Sequence, residues 1–202
     1  MKAYFQSLNL NFVLLKSLPT IAIFASGAAS NAANIVAQLH NVSAEIVLLI
    51  SNNSQSGIFN IGQKNNINSK LIDHKNEVEL LKILEEAKVN YIILAGYLKL
   101  IPQKIIRNFE NKILNIHPAL LPNYGGKGMY GMHVHNAVFQ NNEPKTGITI
   151  HIVNEEFDKG KILFQKEVAI EDCKSAAEIA TKVQQLEHEF YPKVIKQFVS
   201  TS

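Results

Sequence analysis

The sequence predicts an α/β domain with a mostly parallel twisted sheet, helices on both faces, and a C-terminal β-hairpin followed by a long helix. Three observations carry this. Short apolar, β-branched runs alternate four times with helical stretches up to residue 117, which calls for parallel strands joined by crossovers. Two long runs, "TGITIHIVN" and "KILFQKEVAI", are then separated only by "EEFDKG", as in a hairpin. The last stretch, "SAAEIATKVQQLEHEFYPKVIKQFV", keeps helical apolar spacing throughout, with Pro192 as a possible kink.

Taken in order, the first strand covers 20–25 and meets Ser-Gly, after which Ser30 and Asn31 open an amphipathic helix ending near His40. A second buried strand, 44–51, is closed by the polar cluster "NNSQSG". A short helix from Ile58 and a strand at "KLID" follow. "EVELLKILEEAKVN" has apolar residues at i, i+3 and i+4 and is a helix. Strands over 91–96 and 112–117 flank a helix begun by a proline. Beyond Pro122 a Gly-rich loop, "YGGKGMYGM", leads to a helix over 133–141 and then to the hairpin.

With 202 residues the chain suits one domain over 20–202, preceded by an extension over 1–19. That extension is read as no signal peptide: "SLNLN" breaks its apolar stretch, and Lys16 and Pro19 stand where a small-residue cleavage site belongs. Apolar residues at 47% and charged ones at 18% describe a globular protein, with no run approaching the ~18 apolar residues of a membrane span. A net charge of +3 is too mild for a nucleic-acid footprint but suits an anionic small molecule. The single cysteine, Cys173, excludes an internal disulfide and fits a cytoplasmic location.

Four segments carry candidate chemistry. In "FASGAASN" a strand, a small-residue turn and a helix start present free N–H groups to an anion; Ser30 as an ordinary helix cap is the equal rival reading. In "AGYLKLIP" the small pair admits a flat ligand, and Leu98, Leu100 and Ile101 can line an apolar slot; a plain strand-to-helix turn is the rival reading. In "NIHPALLP" Asn115 and His117 sit two apart on a strand, so they face the same way, and Pro118 ends the strand beside them. A lone histidine there is also commonly a satisfied core residue. Asp158, in the hairpin loop, is the most economical partner for His117: its carboxylate can orient the imidazole and raise its affinity for a proton. Glu155 and Glu156 are expected to be bystanders in an exposed loop. "HVH" (His133 and His135), with His117 and His151, raises a zinc question, but H-x-H at a helix start lacks i, i+4 spacing, and no metal is expected.

In this order and spacing, "SGAASN", "AGYLKLIP", "NIHPALLP", "HIVNEEFDKG" and "QLEHEFYP" resemble the glycinamide ribonucleotide transformylases of purine biosynthesis, over about 20–198. The resemblance implies a Rossmann-like formyltransferase fold and transfer of a formyl group from 10-formyltetrahydrofolate, the co-substrate, to the amine of glycinamide ribonucleotide. It places Asn115, His117 and Asp158 on the catalytic trio and Ala29, Ser30 and Asn31 on the phosphate loop. Gln184 and Glu187 fall on the helix that contacts the ribonucleotide, and His151 on a histidine near the site. Leu98, Lys99, Leu100 and Ile101, with Asn115, fall on the folate slot. The partners implied are these small molecules, with no nucleic acid and no membrane, in a monomer or homodimer.

Three departures stand out: Ala29 replaces a frequent glycine, "DHKNE" supplies His74 and Lys75 but no arginine, and "GGKGMYGM" lengthens the loop after "LLP". In "AGYLKLIP" the basic residue is Lys99. Relatives acting on initiator tRNA would need an added C-terminal domain, and those hydrolysing the folate an added N-terminal one. A sugar-amine formyltransferase and a non-catalytic nucleotide-binding protein remain alternatives. The second of these has no reason to keep Asn115, His117 and Asp158 together.

Overall fold

β1 (Thr20–Phe24) lies at the centre, buried after its first residue, as a strand covered on both faces must be. Its side chains divide with the two-residue period of a strand: Ile21 and Ile23 enter one apolar cluster, Ala22 and Phe24 the other. The computed structural model describes residues 17–200, so the predicted extension over 1–19 lies outside them except for its last three residues.

From β1 the chain runs through α1 (Ser30–Leu39), β2 (Glu45–Ser51), α2 (Ile58–Asn65), β3 (Ser69–Leu71), α3 (Glu77–Glu86) and β4 (Tyr91–Leu94). It continues through α4 (Gln103–Asn108), β5 (Ile113–His117), α5 (Met132–Gln140), β6 (Lys145–Ile152), β7 (Ile162–Ala169) and α6 (Ala176–Ser200). The strands form one sheet of order β3-β2-β1-β4-β5-β6-β7. Pairings from β3 to β5 are parallel, and those of β5 with β6 and β6 with β7 antiparallel. Alternation of strands and helices therefore yields the parallel part, and the hairpin appends the antiparallel edge. One apolar cluster joins the sheet to α1, α5 and α6, and the other joins it to α3 and α4.

The strand order reverses at β1 and β4, and in open α/β sheets ligands bind beyond the strand ends at such a point. The segments leaving these strands are stitched together: Ser26 N donates to Gly96 O at 3.0 Å, and Leu98 N to Ser26 Oγ at 3.0 Å.

α6 continues through Pro192, which is buried. Proline has no N–H to offer the carbonyl four residues back, that of His188. Asn34 on α1 supplies the missing donor, its Nδ2 lying 2.8 Å from His188 O. Tyr191 next to the proline is wholly buried, and its hydroxyl reaches the carbonyls of Leu94 and Leu114 at 2.9 and 3.2 Å. The helix is thus held to α1 and to the ends of the central strands.

Candidate active site

The turn after β1 opens α1 without a side-chain cap. Ala29 stands at the capping position with φ 62° and makes no cap bond, so the first N–H groups of the helix remain open. This overturns the reading of Ser30 as a cap; its hydroxyl instead accepts from Gln184 Nε2 at 3.0 Å. The left-handed backbone at Ala29 explains why glycine suits the position, and alanine tolerates it at a cost of ~1–2 kcal/mol.

Asn31 Nδ2 donates to Glu187 Oε2 at 2.8 Å, while Asn31 Oδ1 is buried without a hydrogen-bond partner among the described residues. Burial pushes the Glu187 carboxyl upward, against the donor from Asn31. Ala29, Ser30, Asn31, Gln184 and Glu187 therefore meet at one place, as the resemblance implies. A second layer, which sequence reasoning missed, props the turn from outside. Asn53 Nδ2 donates to Ser26 O at 2.9 Å, Ser56 Oγ to Gly27 O at 3.0 Å, and Gly57 N to the same carbonyl at 3.0 Å.

After β4, Gly96 turns with φ 77° and leaves Leu98, Lys99 and Leu100 exposed beside that loop. Ile101 corrects one expectation. It is 4% exposed and packs with Ile105 and Phe109 in the core, so the open slot is Leu98 to Leu100. The pattern "LKLIP" alone does not reveal which apolar side chain turns inward. Tyr97, also missed, is buried, and its hydroxyl has no hydrogen-bond partner among the described residues. Burial, aided by Asp73, pushes it up to about 12.

β5 delivers Asn115 and His117 to the same sheet edge, and the hairpin loop folds back over them. His117 Nδ1 lies 3.5 Å from Asp158 Oδ2, and His151 Nε2 lies 3.6 Å from Asp158 Oδ1. Asn115 Nδ2 is 3.1 Å from His151 Nε2. His151 Nδ1, 3.1 Å from Ile152 O, must carry hydrogen, because a carbonyl only accepts. Where Nε2 is bare it can accept from Asn115 Nδ2, which keeps its second N–H free. His151 is therefore central, bonded to one of the trio and facing another. The loop closes this tightly because residue 160 is glycine: a Cβ there would lie 1.6 Å from Ile152 O.

Asp158 is not in a loosely exposed turn, as first expected. Its side chain is 10% exposed, and Gly126 N donates to it at 2.9 Å. Burial pushes its carboxyl upward, but His151, His117 and the Gly126 N–H outweigh burial and hold it below the usual range.

His117 departs from expectation too. Burial lowers its pKa and wins over Asp158 and the Tyr124 carbonyl, so the ring is neutral at pH 7 before substrate arrives. The H-x-H pair diverges: His133 is exposed and meets the Tyr130 ring edge-on, while His135 is buried near His117. Glu155 accepts from Gln103 at 3.1 Å and faces Arg107 at 3.6 Å on the surface, and Glu156 pairs with exposed Lys159. A cavity of about 400 Å³ lies between α4 and the hairpin loop, but it contains none of Asn115, His117 and Asp158. The convergent polar groups, not that hollow, mark the site.

Residues 20–195 match the family described as formyl transferase. The chain belongs to that family. Among curated relatives, the chloroplastic phosphoribosylglycinamide formyltransferase of Arabidopsis thaliana is 38% identical over 87% of this chain, which spans 63% of the plant protein's length. The phosphoribosylglycinamide formyltransferase of Bacillus subtilis is 33% identical over 88% of this chain and 93% of its own. A crystal structure of the Anaplasma phagocytophilum phosphoribosylglycinamide formyltransferase superposes with a TM-score of 0.83 at 28% identity, covering 92% of this chain and 89% of that one. The Rossmann-like formyltransferase fold predicted from the sequence is thereby established. No helix among the described residues is long and apolar enough to cross a membrane.

Proposed function

We propose that the chain transfers a formyl group from 10-formyltetrahydrofolate to the amino group of 5-phosphoribosylglycinamide in purine biosynthesis. The observation that carries this is the meeting of Asn115, His117 and Asp158 at one strand end. The names of the relatives from Arabidopsis thaliana and Bacillus subtilis agree with it. The uncapped α1 N-terminus suits a phosphate, and the unpartnered Asn31 Oδ1 suits a donor from the ribonucleotide. Exposed Leu98 and Leu100 suit the flat pterin, and Lys99 beside them suits the donor's carboxylates.

In this reading the amine attacks the formyl carbon, the carbon–oxygen double bond opens, and negative charge gathers on oxygen. The free N–H of Asn115 donates to that oxygen, and His117 donates through a proton that it takes up from solvent and gives back as the oxygen charge collapses; each such donor is worth roughly 2.7–4 kcal/mol. Asp158, ionised at neutral pH, accepts the attacking amine's proton. That proton is returned to the departing folate nitrogen as the carbon–oxygen double bond reforms. The neutral resting state of His117 fits this sequence, since the imidazolium is needed only as charge develops.

The test is turnover of the purified chain with 10-formyltetrahydrofolate and, in turn, 5-phosphoribosylglycinamide and amino sugars. Formyl transfer to the ribonucleotide is expected. Formylation of an amino sugar alone, or tight ribonucleotide binding without transfer, would overturn the reading.

A further inference from the structure

His117 is met on both ring nitrogens, and the two contacts differ in kind. Nε2 lies 2.7 Å from the main-chain oxygen of Tyr124, so this nitrogen carries hydrogen. Nδ1 faces Asp158 at 3.5 Å, too far for a good direct hydrogen bond. A neutral imidazole holds one hydrogen, so with Nε2 protonated Nδ1 is the atom that takes up and returns a proton.

The Tyr124 carbonyl does not hold its place through backbone preference. Tyr124 has φ 56°, a region that bulky residues avoid. Its phenol is fixed at the far end, donating to Glu143 Oε1 at 2.6 Å and accepting from Asn141 Nδ2 at 2.8 Å. Its ring packs against the core. The next residue has no room for a side chain, since a Cβ at Gly125 would lie 2.4 Å from Leu121 Cδ2 and 3.3 Å from Asp158 Cβ. Gly126 N then donates to Asp158 at 2.9 Å. Three consecutive residues thus present a carbonyl to His117 and an N–H to Asp158.

We propose that Tyr124 is a positioning residue. Its carbonyl, anchored through the phenol by Glu143 and Asn141, holds His117 in the Nε2–H form and makes Nδ1 the proton-exchanging atom. The consequence for turnover rests on the formyl-transfer reading above; the tautomer itself does not. The charged and titratable groups facing His117 are Asp158 from the hairpin loop, His151 from β6 and His135 from α5. Glu143 is absent from that set and acts only through Tyr124.

The experiment is nitrogen-15 NMR of the full chain labelled at histidine, with His117 assigned by its disappearance in His117→Asn. In the neutral ring of the parent, hydrogen is expected on Nε2. Tyr124→Phe and Glu143→Ala should each give a mixture of tautomers. Glu143→Gln, which keeps an oxygen for the phenol, should restore the parental spectrum.

Formyl-transfer kcat is expected to fall about tenfold in Tyr124→Phe, as for one lost hydrogen bond, with both KM values within about twofold. Its limb of the pH–rate profile should move to lower pH as the carbonyl's support for the proton weakens. Hydrogen on Nδ1 in the parent, or an undisturbed Nε2–H form in both Tyr124→Phe and Glu143→Ala, overturns the proposal. The tautomer is read without substrate. An inactive parent that still shows the expected spectra therefore counts against the formyl-transfer reading and for the positioning role.

Discussion

Gly57→Ala tests how the candidate phosphate loop is held. The backbone at Gly57 is helical, φ −60° and ψ −13°, so any residue can adopt it and glycine is there for space alone. A Cβ would stand 2.4 Å from Ala28 O and 3.1 Å from Ala28 C, both main-chain atoms that cannot rotate away. Ordinary contact begins near 3.4 Å, so the two segments must separate by about 1 Å. Three bonds oppose this, from Gly57 N, Ser56 Oγ and Asn53 Nδ2 to the carbonyls of Gly27 and Ser26. Overpacking costs ~1–3 kcal/mol, and a central value of about 2 kcal/mol lowers Tm by roughly 4–8 °C in a domain of this size.

Because the displaced segment is the candidate phosphate cradle, the KM for the ribonucleotide should rise about tenfold, equivalent to ~1.4 kcal/mol, and that for the formyl donor by less than about threefold. Calorimetry and steady-state kinetics on the same preparation measure both effects. Gly27→Ala is the stability control: nothing lies within 4 Å of its Cβ, and its Tm should stay within about 1 °C. A Gly57→Ala protein with parental Tm and parental ribonucleotide KM would refute the argument.

Further outcomes are expected. Asp158→Asn should lower formyl-transfer kcat by about 10²–10⁴-fold and push the His117 limb of the pH–rate profile to still lower pH, because the carboxylate is one of the groups that raise that pKa. Asp158 is itself held below its unfolded value, so it contributes stability above about pH 3.9 that fades as pH falls through the folded value; urea melts should find the variant's deficit at pH 7 and not near pH 2. Glu187 is shifted upward, so the parent loses stability as pH climbs from about 4.3 through the folded value; Glu187→Gln should escape that loss, and a parent that gains on the variant between pH 4 and 7 would refute it. Asn34→Ala should cost about 1 kcal/mol, and less in a Pro192→Ala background where a restored N–H serves His188 O; a urea-measured double-mutant cycle with no coupling would show that the two are independent.

The strands were legible because a parallel sheet covered on both faces needs unbroken apolar runs, and "IAIF", "EIVLLIS" and "YIIL" are such runs. Asn115 and His117 could be paired from strand spacing, while Asp158 became a candidate through loop chemistry and family resemblance. What stayed hidden has a common physical cause. Tyr124 acts through a main-chain carbonyl, and Gly57 through a Cβ it lacks. A tyrosine or a glycine in a loop carries no sign of which carbonyl or which close approach depends on it. The charge state of His117 was misjudged because Asp158 can be guessed from sequence, whereas the depth of burial opposing it cannot. Asn34 and His188 are ordinary polar residues until Pro192 leaves a carbonyl between them without its helical donor.

The same junction bears on how the protein is made. Ser30 with Gln184 and Asn31 with Glu187 are bonded across 154 and 156 positions of sequence. During synthesis the turn after β1 therefore emerges early and waits for nearly all the remaining chain before its partners exist. Contacts of such span carry a large loop-closure cost and form slowly in folding. A ribonucleotide that touches both sides would draw α6 onto the sheet by mass action, so its concentration would set how firmly the last helix stays docked. Nicking the chain ahead of Ala176 would spare the Asn115–His117–Asp158 constellation and still deprive the early turn of Gln184 and Glu187. Failure of the two halves to rejoin would cost the early turn these partners together with the Tyr191 bonds to the ends of the central strands.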